Sequence, residues 1–102
     1  MEKVKKYWWN GELIFEGEYL NDEKNGKGKE YRNNKLIFEG EYLNGKRNGK
    51  GKEYKYDELR FEGEYLNGLR NGKGKEYNKE GEIRFEGEYL NGERNGKGKE
   101  YD

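Results

Sequence analysis

Phe38-Glu39-Gly40-Glu41-Tyr42-Leu43-Asn44-Gly45-Lys46-Arg47-Asn48-Gly49-Lys50-Gly51-Lys52-Glu53-Tyr54 is one cycle of a pattern that runs the length of the chain. With Leu36 before it, Phe38, Gly40 and Tyr42 alternate with Ile37, Glu39, Glu41 and Leu43. This period of two predicts a half-buried strand with its aromatics on one face. Asn44–Gly49 contains two Asn-Gly pairs, the residues that most easily adopt the positive φ of a tight reversal, so the chain is predicted to turn back there. Lys50–Tyr54 then reads as the return strand, and Lys55–Glu58 reverses it again. Each cycle is one hairpin.

FEGEYLN begins at Phe15, Phe38, Phe61 and Phe85, at offsets of 23, 23 and 24 residues, and NGKGKEY follows each time. Such a period marks stacked supersecondary units. The units are residues 15–37, 38–60, 61–84 and 85–102, preceded by a half repeat over 1–14 in which Lys6-Tyr7-Trp8 takes the place of Glu30-Tyr31. The turns between units, at Asn10-Gly11, Asn33-Asn34, Tyr56-Asp57 and Glu80-Gly81, are too short for a crossover. The expected fold is therefore all-β with no helix. It is a single continuous antiparallel meander of about nine strands, roughly 40 Å long, coiled by strand twist into an open trough.

Phe15, Phe38, Phe61 and Phe85, with Tyr19, Tyr42, Tyr65 and Tyr89, are expected to form two rows along that trough, each ring edge-packed on the next repeat. Gly17, Gly40, Gly63 and Gly87 leave gaps for the rings to cover, while Gly26, Gly28 and their repeat mates relieve backbone strain. On the return strand, Glu16 and Glu18 can oppose Lys29 and Lys27 as a charge ladder, or Phe15 can oppose Tyr31. The ladder is favoured because the alternative sets Glu16 against Glu30, and a bulge near the loop would satisfy both.

The chain has 22 basic and 22 acidic residues, so no net charge draws it to nucleic acid or anionic lipid. Only 28% of its residues are hydrophobic, yet 16% are aromatic and regularly spaced, which favours a folded chain. Ala, Cys, His, Pro, Gln, Ser and Thr are absent. This removes thiolate and imidazole chemistry. Gly26-Lys27-Gly28-Lys29 lacks the Ser or Thr of a phosphate loop, and Asp22-Glu23-Lys24-Asn25-Gly26 lacks the spaced acidic ligands of a calcium loop. Glu16 and Glu18 have a spacing compatible with paired catalytic carboxylates, but a pair repeated in every unit reads better as a salt-bridged solvated face. No enzyme activity, cofactor, metal, nucleic acid or small-molecule substrate is expected. MEKVKKYWW has no apolar run, so a soluble cytoplasmic protein without signal peptide or membrane-spanning segment is expected.

Three surface features remain. Lys24, Arg47, Arg70 and Arg94 share one loop position and would line a basic rim, for acidic head groups or for packing on neighbouring rings. Trp8 and Trp9, adjacent on the first strand, would point to opposite faces, one as a lid and one as an end contact for a partner or a second copy. Leu69 is an apolar loop tip. The terminal strands leave unpaired backbone groups through which further strands can pair.

The frame F-x-G-x-Y-x-x-G-x-x-x-G-x-G, carried by Phe38, Gly40, Tyr42, Gly45, Gly49 and Gly51, resembles the MORN (membrane occupation and recognition nexus) repeat. It recurs at Phe61, Gly63, Tyr65, Gly68, Gly72 and Gly74, and at Phe85, Gly87, Tyr89, Gly92, Gly96 and Gly98. The first unit departs from it with Asp22 for Gly and Lys24 for Arg. The resemblance implies hairpin stacks that scaffold or dimerise. Three readings stay open: a non-catalytic scaffold binding a protein or itself, a membrane-surface module using the basic rim, and a consensus structural array without a ligand.

Overall fold

Two-residue turns set the architecture. Asn44 and Gly45 have φ of 51° and 83°, and Asn67-Gly68, Asn91-Gly92 and Asn21-Asp22 repeat this left-handed pair. Such turns match the twist of the strands they join. In the computed structural model, which describes residues 1–102, they connect β1 (Glu2–Tyr7), β2 (Leu13–Leu20), β3 (Glu23–Arg32), β4 (Lys35–Leu43), β5 (Lys46–Lys55), β6 (Glu58–Leu66), β7 (Leu69–Tyr77), β8 (Ile83–Leu90) and β9 (Glu93–Glu100). The strands follow chain order in one antiparallel sheet with a long dimension of 42 Å. No helix is long and apolar enough to cross a membrane.

The reversal at Asn44 is shorter than the Asn44–Gly49 turn expected, because the first Asn-Gly alone supplies both positive-φ residues. The second pair lies within β5, where Gly40 pairs with Gly51 but Tyr42 pairs with Arg47. Glu41 thus faces the bulge Asn48-Gly49-Lys50, which Gly49 permits with φ of 100°. The Glu41 carboxylate accepts the Lys50 N–H at 2.7 Å. The same bulge recurs in every hairpin. Glu16 opposes Lys29 as the ladder requires, but Glu18 fills the bulge instead of opposing Lys27.

At the other rim, Asn33-Asn34 and Tyr56-Asp57 are again two-residue turns. Trp8–Gly11 and Asn78–Gly81 are longer turns, closed by N–H bonds from Gly11 to Trp8 O and from Gly81 to Asn78 O. The 24-residue offset arises here. Trp8 and Trp9 therefore sit in a turn beyond β1, not on opposite faces of a strand.

The ring face holds the core: Phe15, Phe38, Tyr42, Phe61, Tyr65, Phe85 and Tyr89 are buried, with Tyr19 packed against them. Phe38 meets Tyr42 of its own repeat at 5.7 Å and Tyr65 of the next at 5.2 Å, both edge to face. The ring of Phe38 lies over the paired glycines Gly40 and Gly51. A Cβ on Gly51 would stand 2.5 Å from Phe38 Cζ and 3.0 Å from Tyr65 Cε1. Phe38 and Phe61 are 0% exposed. The rings consequently form a sealed layer, and the eight aromatics do not line an open trough. The groove of the sheet lies on the opposite face.

Replacing Gly51 by Ala should cost about 1–3 kcal/mol through overpacking, measured by urea denaturation. Gly68, whose Cβ would meet nothing within 4 Å, provides the comparison at a positive-φ turn. Its replacement by Ala should cost only about 1 kcal/mol of backbone strain. A Gly51→Ala variant as stable as the parent would refute packing of the rings on bare backbone.

Candidate functional site

Arg47 occupies a strand position opposite Tyr42, so its side chain enters the ring face. Its guanidinium lies 4.0 Å from the Phe38 ring centroid. Two N–H bonds, Nε to Oε2 at 2.9 Å and Nη2 to Oε1 at 3.1 Å, tie it to Glu30 of the preceding repeat. The Tyr42 hydroxyl donates to the same Glu30. Arg70 with Tyr65 repeats this on Glu53, and Arg94 with Tyr89 on Glu76. The expected basic rim is accordingly drawn into the fold, with each arginine stacked on a Phe and forked to a carboxylate. Lys24, the first member, lies 4.5 Å from the Phe15 centroid and forms no ion pair, because Lys6 stands opposite Phe15 where the later repeats place a glutamate.

Burial opposes ionisation of Glu30 and Glu53, but the Arg and Tyr hydrogen bonds and the guanidinium charge hold both carboxyls below the usual range. At Glu76 the Arg94 hydrogen bond is the largest influence in the same direction. Tyr42 and Tyr65 are raised well above the ordinary phenol value by burial and by the carboxylates they face.

On the other face an open groove of about 1040 Å³ runs along the sheet over a floor of glycines. Lys3, Lys5, Lys27, Lys29, Lys50, Lys52, Lys73 and Lys75 line it, together with Glu16, Glu18, Glu39, Glu41, Glu62 and Glu64. These glutamates are engaged. Tyr31 and Tyr54 donate their hydroxyls to Glu16 and Glu39 at 2.6 Å, and Tyr77 donates to Glu62. Glu18, Glu41 and Glu64 each accept a bulge amide, from Lys27, Lys50 and Lys73. The six ion pairs of the molecule all lie elsewhere, so no groove lysine is in one. Lysines and glutamates alternate across the groove, but the expected salt-bridged ladder does not form, since tyrosines and bulge amides take up the carboxylates. Burial, followed by the glutamate bond, pushes Tyr31, Tyr54 and Tyr77 up to about 12.

Trp8 and Trp9 are 55% and 88% exposed and belong to neither the buried ring cluster nor the groove lining. Leu69 belongs to β7 and pairs with Leu66.

These features define a β-hairpin repeat protein with one sealed aromatic face and one charged, open face. The chain belongs to the MORN repeat family, whose profile matches residues 15–36, 38–60, 61–82 and 85–102. MORN repeats are in general protein- or membrane-interaction modules, and the family is a non-catalytic one. No curated protein sequence matches the chain.

The titrations give stability two limits. The lowered carboxyls stabilise the fold fully above their ordinary value near ~4.3, and that contribution is lost as pH falls through their folded values. The raised tyrosines stabilise it fully below about 10 and lose that contribution as pH rises through their higher folded values. Urea denaturation across pH should show a plateau between these limits. Glu53→Gln should lower the plateau by about 2 kcal/mol and weaken the acid limb. An unchanged acid limb would show that this carboxylate does not couple its neighbouring repeats.

Proposed function

We propose that the chain is a non-catalytic scaffold that holds an extended acidic segment of a protein partner along its groove. The observation that carries this reading is the lining of the groove, where six carboxylates are already hydrogen-bonded and none of the eight ammonium groups is drawn into an ion pair. Lysine stems over a glycine floor offer an apolar bed with cationic margins, suited to an extended chain bearing carboxylates. The interaction role of MORN repeats supports the reading, and no side chain in the groove is arranged as a nucleophile with an adjacent base. The arginines of the basic rim are committed to Glu30, Glu53 and Glu76, which weighs against a lipid surface gripped through that rim.

Titration with a polyglutamate peptide, followed calorimetrically over a salt series, tests the reading against phosphatidylserine vesicles. Binding of the peptide should weaken with salt, because the contacts are exposed charges. It should fall roughly tenfold in a Lys29→Gln/Lys52→Gln/Lys75→Gln variant whose denaturation midpoint matches that of the parent. Equal affinity of parent and variant, or strong vesicle binding with no peptide binding, would overturn it.

A further inference from the structure

The groove runs across the strands. Its floor passes through Gly17, Gly28, Gly40, Gly51, Gly63 and Gly74, one position from each of β2 to β7, and so follows the long axis of the ribbon. These glycines are paired on both flanks, Gly51 with Gly40 and with Gly63 for instance, and their peptide groups point along the ribbon into the ladder. None is turned toward an occupant. A chain lying in the groove therefore adds no strand to the sheet, and its own backbone groups are left to water. Polyproline II is the extended conformation that meets this condition, because it has no internal hydrogen bonds and its backbone stays solvated.

The walls of the groove carry a period. Lysines flank the floor in pairs, Lys27 and Lys29 about Gly28, Lys50 and Lys52 about Gly51, and Lys73 and Lys75 about Gly74, with a further pair on β1. The pairs sit on alternate strands, so at about 4.8 Å per strand they recur every ~9.6 Å. Three residues of polyproline II advance about 9.3 Å. Over four pairs the two periods drift apart by only about 1 Å, within the reach of flexible lysine stems. The glutamates between the pairs are shorter and already held, Glu41 by the Lys50 amide and Glu39 by the Tyr54 hydroxyl, with the same bonds in the neighbouring repeats. The lysines are thus the groups that reach an occupant.

Resting on the reading of the groove as a cradle for an acidic segment, we propose that the occupant is a polyproline II stretch of a partner protein with Glu at every third residue and proline between. The two prolines of each turn lie on the bare backbone of the floor, and the Glu of each turn stands on the outer edge between the two lysines of one strand. Repeat length in the scaffold is in this way matched to turn length in the ligand, and a backbone already stiff in its bound shape loses little entropy on docking.

The test is a titration of the isotope-labelled 102-residue chain, followed by amide chemical shifts at one low ionic strength, with four peptides. EPPEPPEPPEPP carries the period, EEPPPPEEPPPP has the same composition with the period broken, EGGEGGEGGEGG keeps the period on a flexible backbone, and polyglutamate has neither feature. The first should bind about tenfold more tightly than the second and the third, with saturable shifts centred on Gly28, Gly51 and Gly74. Equal affinity for EPPEPPEPPEPP and either of those two, or shifts centred outside the groove, would overturn the proposal. If polyglutamate still binds, the acidic-segment reading survives that result, whereas absence of binding by all four peptides removes both.

Discussion

The whole structure depends on rings lying directly on glycine backbone. A sheet with little apolar side-chain volume cannot build an interior between two layers, so it builds one within the thickness of a single face. The paired glycines Gly40 and Gly51 remove two Cβ atoms from beneath Phe38, and the ring descends until it meets main chain. Tyr65 from the following repeat then closes over it. Each unit is completed by its neighbour, the nearest-neighbour logic of repeat arrays. Edge-to-face contacts between successive rings add to the burial.

A polar lock follows from the same geometry. Because Glu30 stands opposite Phe38, its carboxylate sits beside the rings and within reach of Tyr42 and Arg47. The arginine covers the Phe face while its fork satisfies the carboxylate, so a charge is brought into the apolar layer without being left unpaired. The first repeat lacks this lock because both charged partners are lysines. Phe15 and Tyr19 are held there by ring contact and by the ammonium groups of Lys24 and Lys6 above them.

Much of this was legible in the order of residues. Repetition of FEGEYLN and NGKGKEY announced hairpins, and alternation placed Phe38, Gly40 and Tyr42 together and Glu39 and Glu41 on the reverse. The opposition of Glu16 to Lys29 followed from charge. Choosing which of two Asn-Gly pairs turns the chain did not, because Asn44-Gly45 and Asn48-Gly49 have the same composition and differ only in what lies between them. That choice moves Arg47 from a loop tip into the strand, and with it the assignment of a basic rim. Alternation likewise defines two faces without saying which one closes. Burial closes the ring face, and the open groove with its unpaired lysines falls to the other. Nothing in MEKVKKYWW marks where the first strand stops, whereas in the fold Gly11 at φ of 89° closes a turn that begins at Trp8 itself.

Five residues separate the paired Tyr77 and Ile83, one more than the four between Tyr54 and Leu59, yet Glu76 still meets Phe85 as Glu53 meets Phe61. The surplus is absorbed before it reaches the rings, by a turn that Asn78 braces through bonds from the amides of Glu80 and Glu82. That margin of the ribbon accommodates the surplus, whereas at the opposite margin the turns dock on the preceding repeat, Gly45 N–H on Lys24 O and Gly68 N–H on Arg47 O. One added residue at this border thus leaves the periodic lattice beneath it undisturbed.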